Sequence, residues 1–236
     1  MKRIAFFVLG AILSGSCNDD MGDSVKNFVT DETVYPAKFD KAVAYTGYEN
    51  VEIDLLNAGR IPSSEIHLAK AKKTLVVYGD TELVIDSVCS WVKITGLTQR
   101  TTYKFIVYTM DEKGNKSVPE EVFRAPFTAA DKELLAIPVP AINRITPTQA
   151  TVEWRQDITS VSLKYLGKLV YSYTDKDGMP REVTLDDTPA QPSFTVENFP
   201  VAGDTLHMQY RVIPKVSNVQ IIDTIWLERA LVIPAL

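Results

Sequence analysis

The sequence predicts an all-β protein built from two tandem antiparallel β-sandwiches. Three observations support this fold class. Residues 103–110 alternate, with Tyr103, Phe105 and Val107 on one side and Lys104 on the other, a period of two that indicates a strand. Comparable short strands separated by turn residues recur along the rest of the chain. From Pro36 onwards about 200 residues remain, which exceeds one sandwich of about 100 residues.

The amino terminus has the composition of a secretory leader. Lys2 and Arg3 precede the apolar run 4–13, and small residues then lead to Cys17. A run of this length is too short to cross a hydrocarbon core, which needs about 20 residues. We therefore predict that residues 1–16 are a signal peptide.

Cys17 follows the small residues directly and resembles the acylated cysteine of bacterial lipoproteins. Leu13 lies four residues before it, whereas the commonest pattern has leucine three before. We predict that Cys17 is lipidated and anchors the protein in the outer membrane at the cell surface, since more than one acyl chain gives stable anchoring. An ordinary signal cut nearby, with Cys17 left as a free thiol and the protein facing the periplasm, is the alternative.

Residues 17–35 are polar and acidic and predict a flexible tether. Asp19 and Asp20 resemble the acidic export signal of Bacteroidetes surface lipoproteins, with a merely solvated leader as the alternative. Without Lys2 and Arg3 the chain keeps 23 basic residues against 30 acidic ones. Such an acidic chain offers no basic surface for nucleic acid.

The first sandwich is predicted over residues 36–128. In its second strand Val51, Ile53 and Leu55 are expected to face the core. For segment 60–73, a loop followed by a strand and a short helical turn are both open. The expected strands are 42–45, 51–55, 74–78, 87–94, 103–110 and, after a turn at Gly114 and Asn115, 117–123.

A connector over residues 129–138 and a second sandwich over 139–236 complete the predicted domains. The connector has helix-forming residues between prolines, which deny it helix extension and ladder hydrogen bonds. An Asp-Gly pair at 177–178 predicts a hairpin turn. The expected strands are 141–145, 150–154, 163–174, 182–185, 193–199, 206–214 and 221–232.

Two features resemble fibronectin type III modules. Tyr103 lies six residues after Leu97, which is the spacing of the tyrosine corner before strand F. The stretch from Thr151 to Trp154 resembles a strand B with its core tryptophan. The resemblance implies fibronectin type III-like sandwiches in which the Tyr103 hydroxyl bonds to backbone.

The chain also resembles the Bacteroidetes surface-lipoprotein family called domain of unknown function 4998. The residues that carry the resemblance are Cys17-Asn18-Asp19-Asp20, the strand 103–111, the segment 114–119 and a strand pair ending near Leu55, where the family commonly has tryptophan. The resemblance implies a surface address, a fibronectin-like fold and a neighbourhood of glycan-uptake proteins. It transfers no catalytic residue.

The candidate catalytic and metal-binding residues are few. His67 and His207 lie in different sandwiches and outside any nucleophile or zinc spacing. Asp175, Asp177 and Gly178 resemble part of a calcium loop, although a hairpin turn is the favoured interpretation because the further oxygen ligands are missing. We therefore predict no catalytic residue, metal or cofactor.

A pair of adjacent aspartates and a second cysteine also give no indication of a catalytic site. Asp186 and Asp187 are adjacent, would face opposite ways in a strand, and are assigned to a loop. Cys89 is expected to be an unpaired thiol once Cys17 is acylated.

Trp91 and Tyr108 are the best candidates for contact with a ligand or partner. Both occupy strand positions whose side chains are expected to point away from the core of the first sandwich. Lys93, two residues after Trp91, points the same way. Exposed aromatic side chains can stack on sugar rings or anchor a protein partner. Packing of these residues against the other sandwich or the connector is the alternative.

Two functional hypotheses remain. The first is a non-catalytic, lipid-anchored surface protein that binds a glycan or a protein within a glycan-uptake or adhesion complex. The second is an accessory hydrolase or cryptic enzyme with a site formed between the two domains. A pocket that gathers two carboxylates over an aromatic floor would favour the second.

Overall fold

Two antiparallel β-sandwiches follow one another in the computed structural model, which describes residues 35–199 and 203–234. Both sandwiches belong to one unit, Pro36–Leu236. The predicted all-β, tandem-sandwich class is thus confirmed. The signal peptide, Cys17 and the polar tether up to residue 34 lie outside the described residues.

The first sandwich packs a three-stranded sheet, ordered β1-β2-β5, against a four-stranded sheet, ordered β4-β3-β6-β7. All neighbouring strands are antiparallel. Its strands are β1 Val43–Gly47, β2 Asn50–Asp54, β3 Lys73–Tyr78, β4 Thr81–Ile85, β5 Trp91–Thr95, β6 Tyr103–Met110 and β7 Glu120–Arg124.

Alternating side chains form the first core. Phe105 and Val107 on β6 are fully buried between the sheets, while Lys104 is exposed. Val51 and Ile53 face them from β2, as their period of two predicts. The alternation of apolar and polar residues along each strand therefore determines which face of each sheet packs against the opposite sheet.

The second sandwich repeats the arrangement, with β8-β9-β12 against β11-β10-β13-β15, and the short β14 pairs with the end of β13. The predicted strands are present, but the last one, predicted over 221–232, begins only at Ile225, because residues 221–224 form a loop. The strands are β8 Ala141–Thr146, β9 Gln149–Glu153, β10 Leu163–Thr174, β11 Pro180–Leu185, β12 Ser193–Glu197, β13 Thr205–Val216, β14 Val219–Gln220 and β15 Ile225–Val232.

Trp154 lies at the centre of the second core. Its ring packs against Phe194 and meets Tyr210 edge-on, both with centroids 6.0 Å away. Its indole N–H donates to the carbonyl of Pro138, at 3.0 Å. This bond ties the segment before β8 to the core that Trp154 fills.

The segment between the sandwiches contains one short helix, α1 Ala129–Glu133. The Asp131 carboxylate accepts from the Thr128 backbone N–H at 2.9 Å and pairs with Arg100 at 2.7 Å. Leu135 and Ile137, just after the helix, pack in the second core. None of the helices in the described ranges is long and apolar enough to cross a membrane.

Two local predictions in the first sandwich differ from the structure, and the helical turn left open for segment 60–73 agrees with it. The sequence prediction missed β4, which follows β3 through a tight turn with Gly79 at a positive φ of 53°. The open segment 60–73 contains a 3₁₀ turn at Ser63–Glu65. The strand predicted from residue 87 begins only at Trp91, because the Ser90 hydroxyl instead hydrogen-bonds to the backbone N–H and carbonyl of Ile61.

The predicted role of the Tyr103 hydroxyl was wrong. Tyr103 faces inward and stacks on Phe105, with ring centroids 6.1 Å apart. Within the described part of the chain, however, its hydroxyl makes no hydrogen bond to backbone. The residue contributes its ring to the edge of the core, not a corner bond.

Two hairpin loops in different sandwiches share one geometry. In each, an aspartate carboxylate accepts hydrogen bonds from the backbone N–H groups two and four residues ahead. In the first loop Asp111 accepts from Lys113 and Asn115. In the second loop Asp175 accepts from Asp177 and Met179. Asp175 also accepts from the Arg181 guanidinium, at 2.8 Å. Because its oxygens are occupied by protein donors, the favoured hairpin interpretation of this loop is confirmed.

The carboxylate of Asp175 makes the hairpin sensitive to acid. The Met179 N–H, Arg181 and the Asp177 N–H hold its pKa below the ordinary value, against the opposing effect of burial. A lowered pKa means that the stabilisation is complete above the unfolded pKa of about 3.9 and is lost as the pH falls through the folded value. We expect Asp175→Asn to lower the melting temperature at pH 7 and the difference from wild type to shrink below about pH 3.9.

Thermal melts of both proteins between pH 7 and pH 3 check this expectation. Asp177→Asn is the matched control, since the Asp177 carboxylate pairs, among the described residues, only with the neighbouring Lys176 side chain. A melting difference for Asp175→Asn that stays constant over the whole range would contradict the assigned role.

Candidate functional site

The outer face of the β1-β2-β5 sheet carries a stacked aromatic pair. The rings of Tyr45 and Trp91 lie 5.4 Å apart at an angle of 19°. The Arg60 guanidinium covers Trp91, 5.1 Å from its ring centroid. We call these three residues the Tyr45–Trp91 patch.

Strand register explains why the patch forms. Trp91 is paired with Asp54, and the next outward row places Tyr45, Glu52 and Lys93 side by side across the three strands. Outward residues on adjacent strands stand close enough for direct contact. Trp91 therefore faces outward, as its parity predicted, and Tyr45 and Arg60 partly cover it.

Charged side chains border the patch around a buried carboxylate. The Glu52 side chain is only 9% exposed, contacts Arg60 directly and lies 3.4 Å from the Lys93 ammonium. A buried carboxylate left without partners would be costly, so both cations are held in place by it. Lys93 is therefore an ion-pairing residue in this structure.

The indole N–H of Trp91 is buried and, among the described residues, has no hydrogen-bond partner. An unsatisfied buried donor typically costs about 1–3 kcal/mol. This orphan donor sits at the outer face and not between the sheets. An incoming acceptor that reached it would recover that cost.

Tyr108 does not join the patch. It projects from β6 on the outer face of the opposite sheet, where Lys116 lies 5.6 Å from its ring centroid. The apolar side chains Val84 and Phe123 are exposed elsewhere on this sheet. The structure therefore places the predicted contact residues on two faces, Trp91 and Lys93 on one and Tyr108 on the other.

Asp223, from the second sandwich, meets the first sandwich beside the patch. Its carboxylate accepts from the Tyr48 N–H and from the Asn50 amide, both at 2.7 Å, and lies 3.7 Å from Lys93. The neighbouring Ile222 N–H donates to the Thr46 carbonyl at 3.0 Å. We call this contact the Asp223 junction.

Backbone bonds on the other side of the junction involve Phe127. Its N–H donates to the Gly47 carbonyl at 2.9 Å, and its carbonyl accepts from the Glu49 N–H at 2.7 Å. Its side chain packs in the second core. The chain thus passes from one sandwich to the other in an ordered, hydrogen-bonded path.

The other candidate residues are not brought together. His67 is exposed in the segment after the 3₁₀ turn, whereas His207 lies on β13 of the second sandwich. Asp186 and Asp187 lie in the loop after β11, where Asp186 pairs with Lys168 at 3.0 Å. Across residues 35–199 and 203–234, no group of three or more His, Cys, Asp or Glu could hold a metal ion.

Cys89 is a half-buried thiol. Its sulfur donates to the Thr74 hydroxyl at 3.4 Å, and burial raises its pKa. The thiolate is the reactive form. Cys89 is therefore poorly suited to act as a nucleophile.

Sequence reasoning missed Tyr45, Arg60 and Asp223 as parts of this surface. The outward position of Tyr45 was readable, because it sits between Ala44 and Thr46 in a strand. Arg60 and Asp223 gave no such signal, since they come from irregular segments far along the chain from Trp91.

Comparisons with known proteins give one family and several structural likenesses. The model of a family described as domain of unknown function, number 4998, matches residues 17–223. A comparison with curated proteins found no match.

The structural likenesses are distant. A two-domain fibronectin type III segment of chicken tenascin is 16% identical at a TM-score of 0.30, covering 84% of this chain and 99% of that one. The chicken interferon gamma receptor alpha chain is 10% identical at 0.31, covering 85% and 98%. Chitinase ChiA74 from Bacillus thuringiensis is 13% identical at 0.31, covering 84% of this chain and 29% of that one.

Proposed function

The chain belongs to the domain of unknown function 4998 family, and from that premise we propose that it is a non-catalytic, lipid-anchored protein of the outer membrane. It faces the cell surface and binds a glycan or a protein partner, as a component of a glycan-uptake or adhesion complex of Bacteroidetes. Cys17 carries the lipid, and the Tyr45–Trp91 patch makes the contact. The composition of the sequence around Cys17 supports the anchor.

The stacked pair on the outer face is the observation that carries the binding role. Tyrosine, tryptophan and arginine are the residues most enriched at binding hot spots, and here all three meet on one surface. Tyr45 is 37% exposed. The rigid stack offers a partner a preordered aromatic surface, which lowers the entropic cost of binding.

Site-specific crosslinking on intact cells tests this proposal. A photoreactive phenylalanine analogue at position 45 should capture a defined surface component, and Trp91→Ala should abolish the capture because the stack is lost. The same analogue at position 123 is the matched control, since Phe123 is exposed on the opposite sheet. Cys17→Ala should move the protein from the membrane pellet to the soluble fraction.

Melting temperatures separate contact from folding. Loss of capture with a melting temperature within a few degrees of wild type supports the contact role. A fall of many degrees for Trp91→Ala, or equal capture from positions 45 and 123, would overturn the assignment to this patch. An unchanged membrane distribution for Cys17→Ala would overturn the anchor.

A further inference from the structure

A groove crosses the outer face of the β11-β10-β13-β15 sheet in the second sandwich. Its volume is about 480 Å³, within the range of roughly 300–1,000 Å³ of small-ligand sites. It lies on a different sandwich from the Tyr45–Trp91 patch, which belongs to the first. Its outward lining is Val170, Ser172, Glu182, His207, Gln209 and Glu228, with Ala230 beside them.

Strand register shows how the groove is made. One row across the sheet runs Glu182, Ser172, His207 and Ala230. The small Ala230 ends this row next to the larger His207. The groove is thus a depression in an ordered polar face with longer side chains around it.

The second row supplies a preordered hydrogen-bonding pair. Val170 is paired with Gln209, and Gln209 with Glu228. The Gln209 amide donates to the Glu228 carboxylate at 3.1 Å. This bond fixes the amide with its carbonyl oxygen still free to accept.

An aromatic side chain extends the same face. Trp226 precedes Glu228 by two residues on β15, so both point outward about 7 Å apart along the strand. It is 36% exposed and is paired across the strands with Arg211. A ligand lying in the groove along β15 would reach the indole ring.

The chemistry of this lining fits a polyhydroxylated, uncharged ligand. Ser172, His207 and Gln209 each offer both a donor and an acceptor, and the carboxyl oxygens of Glu182 and Glu228 accept. Sugar hydroxyls can satisfy both kinds of group, while Trp226 offers an apolar surface to a ring face. The two carboxylates outnumber the one lining cation, Arg229, whose guanidinium donates to the Glu228 and Leu135 carbonyls, and so disfavour an anionic ligand. Arg211, which makes no ion pair within the described residues, stands at the end of the face.

We propose that this groove binds a neutral oligosaccharide, with Trp226 stacking on one sugar ring and Gln209 and Glu228 bonding to its hydroxyls. The inference rests on the proposed binding role of the protein but not on the Tyr45–Trp91 patch. It names the ligand class and gives the second sandwich its own site.

The groove is not arranged for hydrolysis. Glu182 and Glu228 lie on the two edge strands, three strand spacings or about 14 Å apart, whereas paired glycosidase carboxylates lie roughly 5–9.5 Å apart. Ser172 stands between Glu182 and His207 in its row, so the histidine does not bridge a serine and a carboxylate. The geometry supports binding without cleavage.

Titration calorimetry of the full chain in detergent tests the site. The probes are neutral hexasaccharides of glucose, xylose, mannose and galactose, with polygalacturonic acid as the anionic comparison. We expect at least one neutral hexasaccharide to bind and Trp226→Ala and Gln209→Ala each to weaken its binding tenfold or more. Ala230→Phe should abolish it by filling the groove, at an exposed position where the fold tolerates the change.

The matched control is Phe123→Ala, which removes an exposed aromatic side chain of the first sandwich outside both proposed surfaces and should leave sugar binding within twofold of wild type. Sugar binding that survives Trp226→Ala and Ala230→Phe, no binding of any neutral hexasaccharide, or a preference for polygalacturonic acid would overturn the inference. If capture at position 45 persists in those cases, the proposed function stands and only this site fails. Release of reducing ends that Glu182→Gln abolishes would instead show hydrolysis in this groove and overturn both the inference and the non-catalytic proposal.

Discussion

Replacing Trp154 with alanine is expected to destabilise the second sandwich by about 3–5 kcal/mol, the usual cost of deleting a buried large aromatic side chain. Trp154 is only 4% exposed. The change would remove its packing on Phe194 and Tyr210 and leave the Pro138 carbonyl without the indole donor. The expected result is a large fall in the melting temperature of this sandwich.

Differential scanning calorimetry with near-ultraviolet circular dichroism measures the effect. Trp226→Ala is the matched control, because it deletes the same side chain from an outer face where it is 36% exposed. We expect its effect to be within about 1 kcal/mol, as for ordinary surface substitutions. Equal losses for the two variants would show that Trp154 is not the centre of the core.

The strand pattern and the cores could be predicted because they follow from local alternation. The inward residues of β6 follow from a period of two within eight residues. The core position of Trp154 was instead expected from its resemblance to strand B of fibronectin type III modules. The strand β4 was missed because Leu83, Val84 and Ile85 are all apolar and show no alternation of polar and apolar positions.

The candidate sites could not be predicted to the same extent, because they depend on pairing between distant segments. Tyr45 reaches Trp91 only through two strand pairings, and Asp223 meets Asn50 across the two sandwiches. Parity correctly placed Trp91 and Tyr108 outward but could not say that their sheets face opposite directions. The groove likewise depends on the register of four strands.

Gly47 also depends on contacts between segments that are distant in the sequence. The Asp223 junction has no room for a side chain at this position. A Cβ at this position would overlap the Asn50 side-chain oxygen and lie 2.5 Å from the Asp223 carboxylate. Carbon and oxygen atoms do not approach so closely, so Gly47→Ala must displace both side chains. The Tyr48 N–H and the Asn50 amide would then lose their shared acceptor.

We therefore expect Gly47→Ala to cost about 1–3 kcal/mol, the range for one donor left unsatisfied, because the Asn50 amide keeps its bond to the Tyr48 carbonyl. We also expect the two sandwiches to unfold separately. Calorimetry of the variant should show two unfolding transitions, whereas we expect a single transition for the wild type. Limited proteolysis should cleave the segment 125–140 faster in the variant. Asp223→Ala removes the acceptor without adding a Cβ and should give the same pattern.

The double variant decides whether the two changes act at one place. Because Gly47→Ala destroys chiefly what Asp223 provides, its cost in the Asp223→Ala background should be smaller than in the wild type, by the logic of a double-mutant cycle. Full additivity, or a single transition within a degree of wild type for Gly47→Ala, would show that the junction does not couple the sandwiches. A non-additive pair would establish that both changes act on the same contact, the Asp223 junction between the sandwiches.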